Sequence, residues 1–261
     1  YLRRNSRLLM FKDYFQLLRI PQWIKNLFVF VPLLFSLHLF DADYFAQTLK
    51  AFLIFCLASS YIYILNDIID TDADASHPKK KFRPLPSGNI SKKAAWFTSI
   101  FILALIVVIS FFVPRVFIYF LFGFITLNIL YSLYFKHVVI LDVFSIAAGF
   151  TIRVFGGAAI ISVPISSWLI LTTMFISLFL GVMKRHSELE QIAESENILT
   201  RKVLSDYSIT FTNQMATIAA AGVIICYALY TVSQRTVSVF NTENLIYTTP
   251  FVVFGIFRFM Y

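Results

Sequence analysis

The sequence predicts an all-α protein whose helices form a polytopic bundle in a membrane. Of its 261 residues, 59% are apolar and only 14% are charged, so a water-soluble domain would leave too much apolar surface uncovered. The mean hydropathy is +0.76, and the apolar residues fall in long runs with short polar breaks. Both patterns are typical of helices packed side by side in a bilayer as one domain.

Eight apolar runs are long enough to cross the hydrocarbon core, which is about 30 Å thick and takes roughly 20 helical residues. These helices are expected to form a single domain over residues 1–261, with functional loops near 66–93 and 184–207. Cys56 and Cys226 lie inside separate runs, which predicts buried thiols. We predict transmembrane helices near residues 21–40, 46–65, 94–113, 116–135, 138–161, 164–183, 208–232 and 245–261.

Basic residues crowd alternate connections between the apolar runs. By the positive-inside rule these connections face the cytoplasm, which predicts an integral membrane protein with its N-terminus and its active site on that side. The net charge of +8 is explained by these connections. Because the basic residues do not form one polar face, we expect no binding to nucleic acid. The opposite connections hold Lys50, Arg115 and Arg235. The cytoplasmic set comprises Arg3, Arg4, Arg7, Lys12, Arg19, Lys25, Lys79, Lys80, Lys81, Arg83, Lys92, Lys93, Lys136, Lys184, Arg185, Arg201 and Lys202.

An acidic segment, NDIIDTDAD, follows the second apolar run. Its carboxylates at Asp67, Asp70 and Asp74 are spaced i, i+3 and i+7, which places them on one helix face with Asn66 one turn from Asp70. Like charges this close repel one another, and a hard cation such as Mg²⁺ removes that repulsion. The sequence therefore predicts a magnesium site formed by Asn66, Asp67, Asp70 and Asp74. The alternative is a solvated acidic helix end.

A basic loop rich in proline, HPKKKFRPLPSG, begins at His77. Acidic metal ligands beside cationic side chains suit a phosphate-rich substrate, because the metal neutralises one part of it and Lys or Arg another. We therefore expect Lys81 and Arg83 to bind phosphate. Without the acidic segment beside it, such a loop would more often be an orientation signal at the lipid headgroups.

Charged residues also enter the fifth apolar run. Lys136 and Asp142 lie near its start, and Arg153 follows eleven residues after Asp142, which is roughly 16 Å further along the same helix face. Neither Asp142 nor Arg153 can face lipid without a large cost. We predict that they line a polar cavity, although a purely structural pairing with other helices would explain them too.

Two further groups fall on the same side of the predicted topology. Lys184 and Arg185 precede Glu188 by four and three residues, a spacing that a local salt bridge at the membrane interface would also produce. Lys25 is equally typical of an interface anchor. Because all of them converge on the side of the acidic segment, the sequence predicts one polar mouth that binds the substrate.

The acidic segment resembles the first signature of the UbiA superfamily of intramembrane prenyltransferases, and this resemblance runs over essentially the whole chain. Within the superfamily the chain is most similar to the branch of the decaprenyl-phosphate phosphoribosyltransferases. The residues that carry this second resemblance are His77, Pro78, Lys81, Arg83, Pro84, Gly149, Phe150, Arg153, Gly156, Gly157, Lys184, Arg185 and Glu188.

The resemblance implies an enzyme that transfers 5-phosphoribose from phosphoribosyl pyrophosphate to a polyprenyl phosphate, with Mg²⁺ as cofactor and pyrophosphate as product. Relatives of this branch feed pentose into cell-wall glycans. We assign Asp67, Asp70 and Asp142 to catalysis, with Asp142 orienting a ribose hydroxyl or the acceptor. The expected substrate-binding residues are Lys25, Asn66, Lys81, Arg83, Lys136, Arg153, Lys184, Arg185 and Glu188.

Two other functions remain open from the residues. A prenyltransferase would move a polyprenyl group from its diphosphate to a small aromatic acceptor, but such relatives carry a second acidic DxxxD motif. Here Asp142 is followed four residues later by Ile146. A transporter or a lipid-binding protein would also place charges in a membrane cavity. The superfamily has nine helices, so a ninth is expected beyond the eight runs; the acceptor's chain length and a homo-oligomer stay open.

Overall fold

The computed structural model describes the backbone of residues 2–78, 80–193 and 206–261, and the side chains of residues 10–78, 80–191 and 206–261. Within these ranges every regular segment is helical. The α-helices in chain order are α1 (Leu2–Leu17), α2 (Val31–Phe35), α3 (Ala42–Ile69), α4 (Thr71–Ala75), α5 (Lys92–Ser110), α6 (Arg115–Leu133), α7 (Leu141–Ile160), α8 (Ser167–Ala193), α9 (Ile209–Val232), α10 (Gln234–Phe240) and α11 (Thr249–Met260).

Six helices in the described part of the chain, α3 and α5 to α9, are long and apolar enough to cross a membrane. They coincide with six of the eight predicted runs and confirm the all-α polytopic bundle. Helix α8 continues to Ala193, well past the predicted end at residue 183, because Lys, Arg and Glu continue a helix readily after the apolar run stops. Residues 184–193 are therefore helical instead of the start of a loop.

The first predicted span is broken in the structure. Residues Met10–Leu17 and Ile20–Phe35 form two helical pieces that meet at an angle of 42°. Arg19 has the left-handed φ of 49° at the break, and Pro21 starts the next piece, since proline suits a first helical turn but not a helix interior. The second piece opens with the first 3-10 helix, Ile20–Phe30, and then becomes α2.

The last predicted run also differs from a full span. A 3-10 segment, Asn244–Thr248, leads into α11, and together they form an apolar helix of fewer than 18 residues. Pro250 starts the α-helical part, and the left-handed φ of 52° at Asn241 ends α10 before it. The described residues thus contain six spans, or seven with the broken one, and one shorter apolar helix.

Helix α7 joins two apolar cores. It packs against α2, α3, α6, α8 and the first 3-10 helix. One core surrounds Phe55 and Phe117 and includes Ile160 near the end of α7. The other lies between α8, α9 and α11 and includes Val143 near the start of α7. Both cysteines are buried free thiols, as predicted. The position of α7 consequently controls how the two halves of the bundle meet.

A close backbone approach fixes α7 against the first 3-10 helix. A Cβ atom placed on Gly157 would lie 2.0 Å from the carbonyl oxygen of Val29, and one on Gly156 would lie 2.7 Å from the ring of Phe55. The first contact involves backbone, which cannot move aside as a side chain can. Only glycine at position 157 therefore allows the two helices to pack at this distance.

Polar side chains tie the first 3-10 helix to α3. The indole N–H of Trp23 donates to Ser60 Oγ at 3.0 Å, and that hydroxyl donates to the carbonyl oxygen of Leu18 at 2.8 Å. The side-chain amide of Asn26 lies 3.3 Å from Cys56 Sγ. These bonds satisfy polar groups that would otherwise be unpaired among apolar helices.

The helices run alternately up and down, which separates the connections into two faces of the bundle. We call one of them the site face: it holds the C-terminal ends of α3, α6 and α8 and the N-terminal ends of α5, α7 and α9. Every charged residue assigned to the site from the sequence belongs to these helix ends, to the connections between them, to the first 3-10 helix or to α7. Lys79, Arg201 and Lys202, which were assigned to the same side, lie outside the described residues.

We predict that Gly157→Ala destabilises the protein, because its new methyl group meets the Val29 carbonyl oxygen. The cost of such overpacking is typically about 1–3 kcal/mol. The matched control is Gly123→Ala in α6, where a Cβ atom meets no heavy atom within 4 Å. Thermal unfolding of both variants in one detergent measures the difference. Equal melting temperatures for the two variants would contradict the close approach.

Candidate active site

The acidic segment stands at the junction of α3 and α4. Helix α3 ends at Ile69 and Asp70 caps it, yet the helical hydrogen bonding continues: the Asp70 N–H donates to Asn66 O and the Asp74 N–H to Asp70 O, both at 2.8 Å. Asp67 and Asp74 are buried, while Asp70 is partly exposed. We call Asn66, Asp67, Asp70 and Asp74 the acidic site.

One guanidinium group bridges the two buried carboxylates. Nη1 of Arg83 lies 2.5 Å from Asp74 Oδ2 and 3.3 Å from Asp67 Oδ1. Lys80 adds a second cation at 3.2 Å from Asp74 Oδ1, and Arg19 from the break in the first span pairs with Asp67. The predicted link between the acidic segment and the basic loop is thus a direct contact, carried by Arg83 and Lys80.

The basic loop is folded back onto the bundle, which fixes Arg83. Leu85 and Ile90 are buried in the first apolar core, and the Ile90 N–H donates to Pro84 O at 3.0 Å. Gly88 supplies the positive φ of 79° that the turn needs. Lys81 points away, with its Nζ 5.2 Å above the ring of Phe82. Of the two phosphate-binding residues predicted in this loop, only Arg83 reaches the acidic site.

The donor atoms of the acidic site suit a magnesium ion. Among the described residues no three His, Cys, Asp or Glu side chains are grouped closely enough to enclose a metal, and Asp70 instead lies 3.7 Å from Lys136. Magnesium needs fewer protein ligands than that, because it binds through one or two carboxylates and takes water and phosphate oxygens besides. Asp67 and Asp74 meet this requirement. Their carboxylates are close enough for one atom, Nη1 of Arg83, to contact both, so a single metal ion could also bind both.

A group of cations lies next to the acidic site. Lys25 of the first 3-10 helix is exposed. The positive charges of Lys184, Arg153 and Arg19 are near enough to repel the charge of Lys25. Within the described part of the chain no carboxylate pairs with Lys25. We call Arg19, Lys25, Arg153 and Lys184 the cationic site. Arg19 and Lys184 each have a carboxylate nearby, so it is chiefly the charges of Lys25 and Arg153 that favour the binding of an anion at this site.

Arg153 is held rigidly at the base of the cationic site. Its Nε donates to Asn26 Oδ1 at 2.7 Å and its Nη1 to the Gly149 carbonyl oxygen at 3.0 Å. Its guanidinium carbon lies 4.4 Å above the ring of Phe124. The alternative of a purely structural pairing therefore applies in part, since Arg153 joins α7 to the first 3-10 helix. Its positive charge also repels that of Lys25, so it contributes to the cationic site.

Asp142 lies at the centre of a buried polar network. Its side chain has no exposed surface. Oδ2 accepts a hydrogen bond from Arg185 Nε at 2.8 Å, and Oδ1 accepts from the Tyr207 hydroxyl at 2.6 Å and from the Val143 N–H at 2.8 Å. Both oxygens are thus engaged by the protein. The catalytic role assigned to Asp142 from the sequence stays a prediction, and the geometry gives it the task of holding Arg185.

Lys184, Arg185 and Glu188 form the local ion pairs that their spacing predicts. Arg185 Nη1 lies 2.5 Å from Glu188 Oε2, and Lys184 Nζ lies 4.0 Å from Glu188 Oε1. Arg185 is buried, whereas Lys184 is exposed toward Lys25. Arg185 consequently acts as a structural link between α7 and α8, and only Lys184 reaches the cationic site.

Two residues of the site were missed from the sequence. Arg19 was counted only as an orientation signal, yet it contacts Asp67 and acts on Lys25. Tyr207 belongs to no motif, yet burial and its hydrogen bond to Asp142 raise its pKa and keep it protonated. The position of Arg19 two residues before Pro21 could have indicated a turn at the site face. No sequence signal marks Tyr207.

Comparisons with known proteins agree with this architecture. The chain is 34% identical to the decaprenyl-phosphate phosphoribosyltransferase of Mycolicibacterium smegmatis over 220 residues, which are 83% of this chain and 69% of the relative. It is 32% identical to the protein of that name from Corynebacterium glutamicum, over 82% of this chain and 65% of the relative.

A solved structure has the same fold. The UbiA homolog from Archaeoglobus fulgidus bound to DMAPP and Mg²⁺ superimposes with a TM-score of 0.71 at 17% sequence identity, covering 95% of this chain and 85% of that one. The sequence model of the UbiA prenyltransferase family matches residues 27–261. This chain therefore belongs to the UbiA prenyltransferase family.

Proposed function

We propose that this chain transfers 5-phosphoribose from phosphoribosyl pyrophosphate to a polyprenyl phosphate and releases pyrophosphate. The observation that carries the proposal is the contact between two unlike sites on one face. The acidic site offers two carboxylates to one cation, and the cationic site beside it gathers like charges around Lys25. Phosphoribosyl pyrophosphate has a matching pair of groups, a pyrophosphate that binds metal and a 5-phosphate that needs cations.

The acidic site is assigned to the pyrophosphate. A magnesium ion held by Asp67 and Asp74, beside Asp70 and Asn66, would neutralise the charge that develops on the departing pyrophosphate. Arg83 is the side chain of the basic loop that contacts both of these carboxylates, and we assign it to the pyrophosphate oxygens. Interactions that strengthen as charge develops lower the barrier, because they stabilise the transition state more than bound substrate.

The cationic site is assigned to the 5-phosphate. Lys25 and Lys184 are exposed on the site face, and Arg153 is buried but close enough for its charge to affect Lys25. A phosphate removed from water needs charge-assisted hydrogen bonds to replace its hydration. A prenyl diphosphate has only hydrocarbon beyond its phosphates and offers no second anionic group to the cationic site. The cationic site therefore favours the sugar phosphate donor.

The acceptor phosphate needs little activation. A phosphate monoester carries at least one negative charge at neutral pH, so it attacks ribose C1 without a strong general base. The new bond joins an acceptor oxygen to C1 as the bond from C1 to pyrophosphate breaks. We propose that the isoprenoid chain lies in the bilayer and that only its phosphate reaches the site face. The similarity to the two phosphoribosyltransferases supports this choice of acceptor.

The site face is proposed to be the cytoplasmic one. Lys80, Lys92, Lys136 and Lys184 lie at helix ends or connections of this face, and an excess of Lys and Arg is typical of cytoplasmic connections. Labelling of an engineered cysteine next to Lys92 by a membrane-impermeant reagent in intact cells would check this orientation.

A prenyltransferase is the second candidate function. Its support is the shared fold with a UbiA homolog bound to DMAPP and Mg²⁺, because the same acidic site could hold a prenyl diphosphate. Against it stands Ile146, which occupies the position where a second acidic motif would place a carboxylate after Asp142. The two candidates differ in the donor, so donor binding separates them.

We predict that Asp67→Asn and Asp74→Asn each reduce turnover by a factor of about 100 or more, because they weaken the binding of the magnesium ion that stabilises the charge developing on pyrophosphate. The matched control is Asp72→Asn, whose side chain is 91% exposed and pairs with Lys92. Phosphoribosyl transfer in detergent with excess magnesium measures turnover, and melting temperatures confirm folding. Full activity in both site variants would remove the acidic site from the mechanism.

We predict that Lys25→Ala raises the KM for phosphoribosyl pyrophosphate by a factor of about 10 to 100, since one charge-assisted hydrogen bond to phosphate contributes about 1.5–3 kcal/mol. The KM for polyprenyl phosphate should change little. Lys92→Ala removes the same charge from the same face outside the cationic site and should leave both constants unchanged. An equal rise in both KM values would show that Lys25 does not distinguish the donor.

We predict saturable, magnesium-dependent binding of phosphoribosyl pyrophosphate to the purified protein, competed by pyrophosphate. Geranyl diphosphate should bind more weakly, because it leaves the cationic site empty. Equilibrium binding with radiolabelled donor measures both. Tight binding of geranyl diphosphate together with none of phosphoribosyl pyrophosphate would favour the prenyltransferase.

A further inference from the structure

The backbone just before α7 is strained. Ile140 has φ 69° and ψ −47°, and the Leu141 N–H donates to the Val139 carbonyl oxygen at 2.8 Å. These values define a three-residue γ-turn with positive φ, which is the rare and strained form. Ile140 is also β-branched, so its side chain disfavours this region of φ strongly. Such strain persists only where the surroundings hold it in place.

The hydroxyl group of Tyr207 supports the turn from another part of the chain. The Ile140 N–H donates to the Tyr207 oxygen at 2.7 Å, and the Tyr207 hydroxyl donates to Asp142 Oδ1 at 2.6 Å. Chemistry fixes both directions, since a backbone N–H can only donate and a carboxylate can only accept. Tyr207 is buried and stacks on Phe211. It therefore connects the segment just before α9 to the central residue of the turn and to Asp142 after the turn.

The turn separates two residues of the site. On its N-terminal side, Lys136 occupies a short 3-10 segment, Phe135–His137, and lies 3.7 Å from Asp70. On its C-terminal side, Asp142 holds Arg185. The Asp142 N–H donates to the Val138 carbonyl oxygen at 3.1 Å and closes the turn between them. A change in the turn would consequently move Lys136 relative to the acidic site.

We infer that Tyr207 is a positioning residue of the transfer reaction, whose hydroxyl fixes the strained turn and thereby sets Lys136 against the acidic site. The inference rests on the proposed function for the reaction itself, but the turn can be measured without it. Tyr207 has almost no exposed surface, so it acts through Ile140 and Asp142 and does not touch the substrate.

Tyr207→Phe is the direct test, because it keeps the ring and removes both hydrogen bonds. The expected loss in kcat is about tenfold to a hundredfold, as for other small misplacements of reacting groups, with the KM for polyprenyl phosphate unchanged. Hydrogen exchange at the amides of residues 138–143 should accelerate. The control is Tyr230→Phe at the other end of α9, where a buried tyrosine hydroxyl also loses a partner, Thr236.

Ile140→Gly provides a rescue, because glycine adopts a positive φ without strain and no longer needs the hydroxyl. The double variant should recover part of the kcat that Tyr207→Phe loses. It also serves as the folded background if Tyr207→Phe alone purifies poorly. The inference would be overturned if Tyr207→Phe lowered kcat equally with Ile140 and with Gly at position 140. It would also be overturned if Tyr207→Phe and Tyr230→Phe had the same kcat.

Hydrogen exchange separates this inference from the proposed function. If the wild-type protein transfers no phosphoribose, the proposed function fails, while faster exchange at residues 138–143 in Tyr207→Phe would still establish the hydroxyl as the support of the turn. If transfer occurs but exchange at these amides is unchanged in Tyr207→Phe, the inference about Tyr207 fails alone.

Discussion

Asp67 and Asp74 lie almost wholly out of water at the end of an apolar helix, where two carboxylates repel each other strongly unless cations stand beside them. This constraint organises the site face. Arg83 of the basic loop supplies one of these cations, and it can do so only because the loop folds back onto the bundle. Arg19, at the break of the first span, supplies another. The bend, the loop and the helix end thus satisfy one electrostatic requirement together.

The cationic site is less completely neutralised than the acidic site. Around Lys25 the charges are positive, and Arg153 is engaged by an amide, a carbonyl group and an aromatic ring instead of by a carboxylate. Carboxylates that can bind a metal stand next to a group of cations, and Arg19 belongs to both, so the site face orients any ligand that carries a metal at one end. The charge distribution of this face therefore distinguishes the two phosphorylated ends of a ligand, independently of any one hydrogen bond.

Sequence reasoning succeeded where the signal was local and failed where it depended on tertiary contacts. The long apolar runs predicted six spans well, and the spacing of Asp67, Asp70 and Asp74 predicted their common helix end. The hydropathy pattern predicted an end of α8 that was too early, because it marks where the apolar run stops and not where the helix stops. The roles of Arg19 and Tyr207 depend on partners 48 and 65 residues away, and no pattern along the chain encodes such a pairing.

The first 3-10 helix has a geometric consequence of its own. A 3-10 helix rises about 2.0 Å per residue, so its eleven residues advance about 22 Å, and α2 adds about 7 Å at the usual rise. Sixteen residues thereby cover the roughly 30 Å of the hydrocarbon core. With three residues per turn, Trp23, Asn26 and Val29 stack in one straight column against α3 and α7. Lys25 belongs to the neighbouring column, so its side chain stays exposed while the column of Trp23, Asn26 and Val29 packs against α3 and α7.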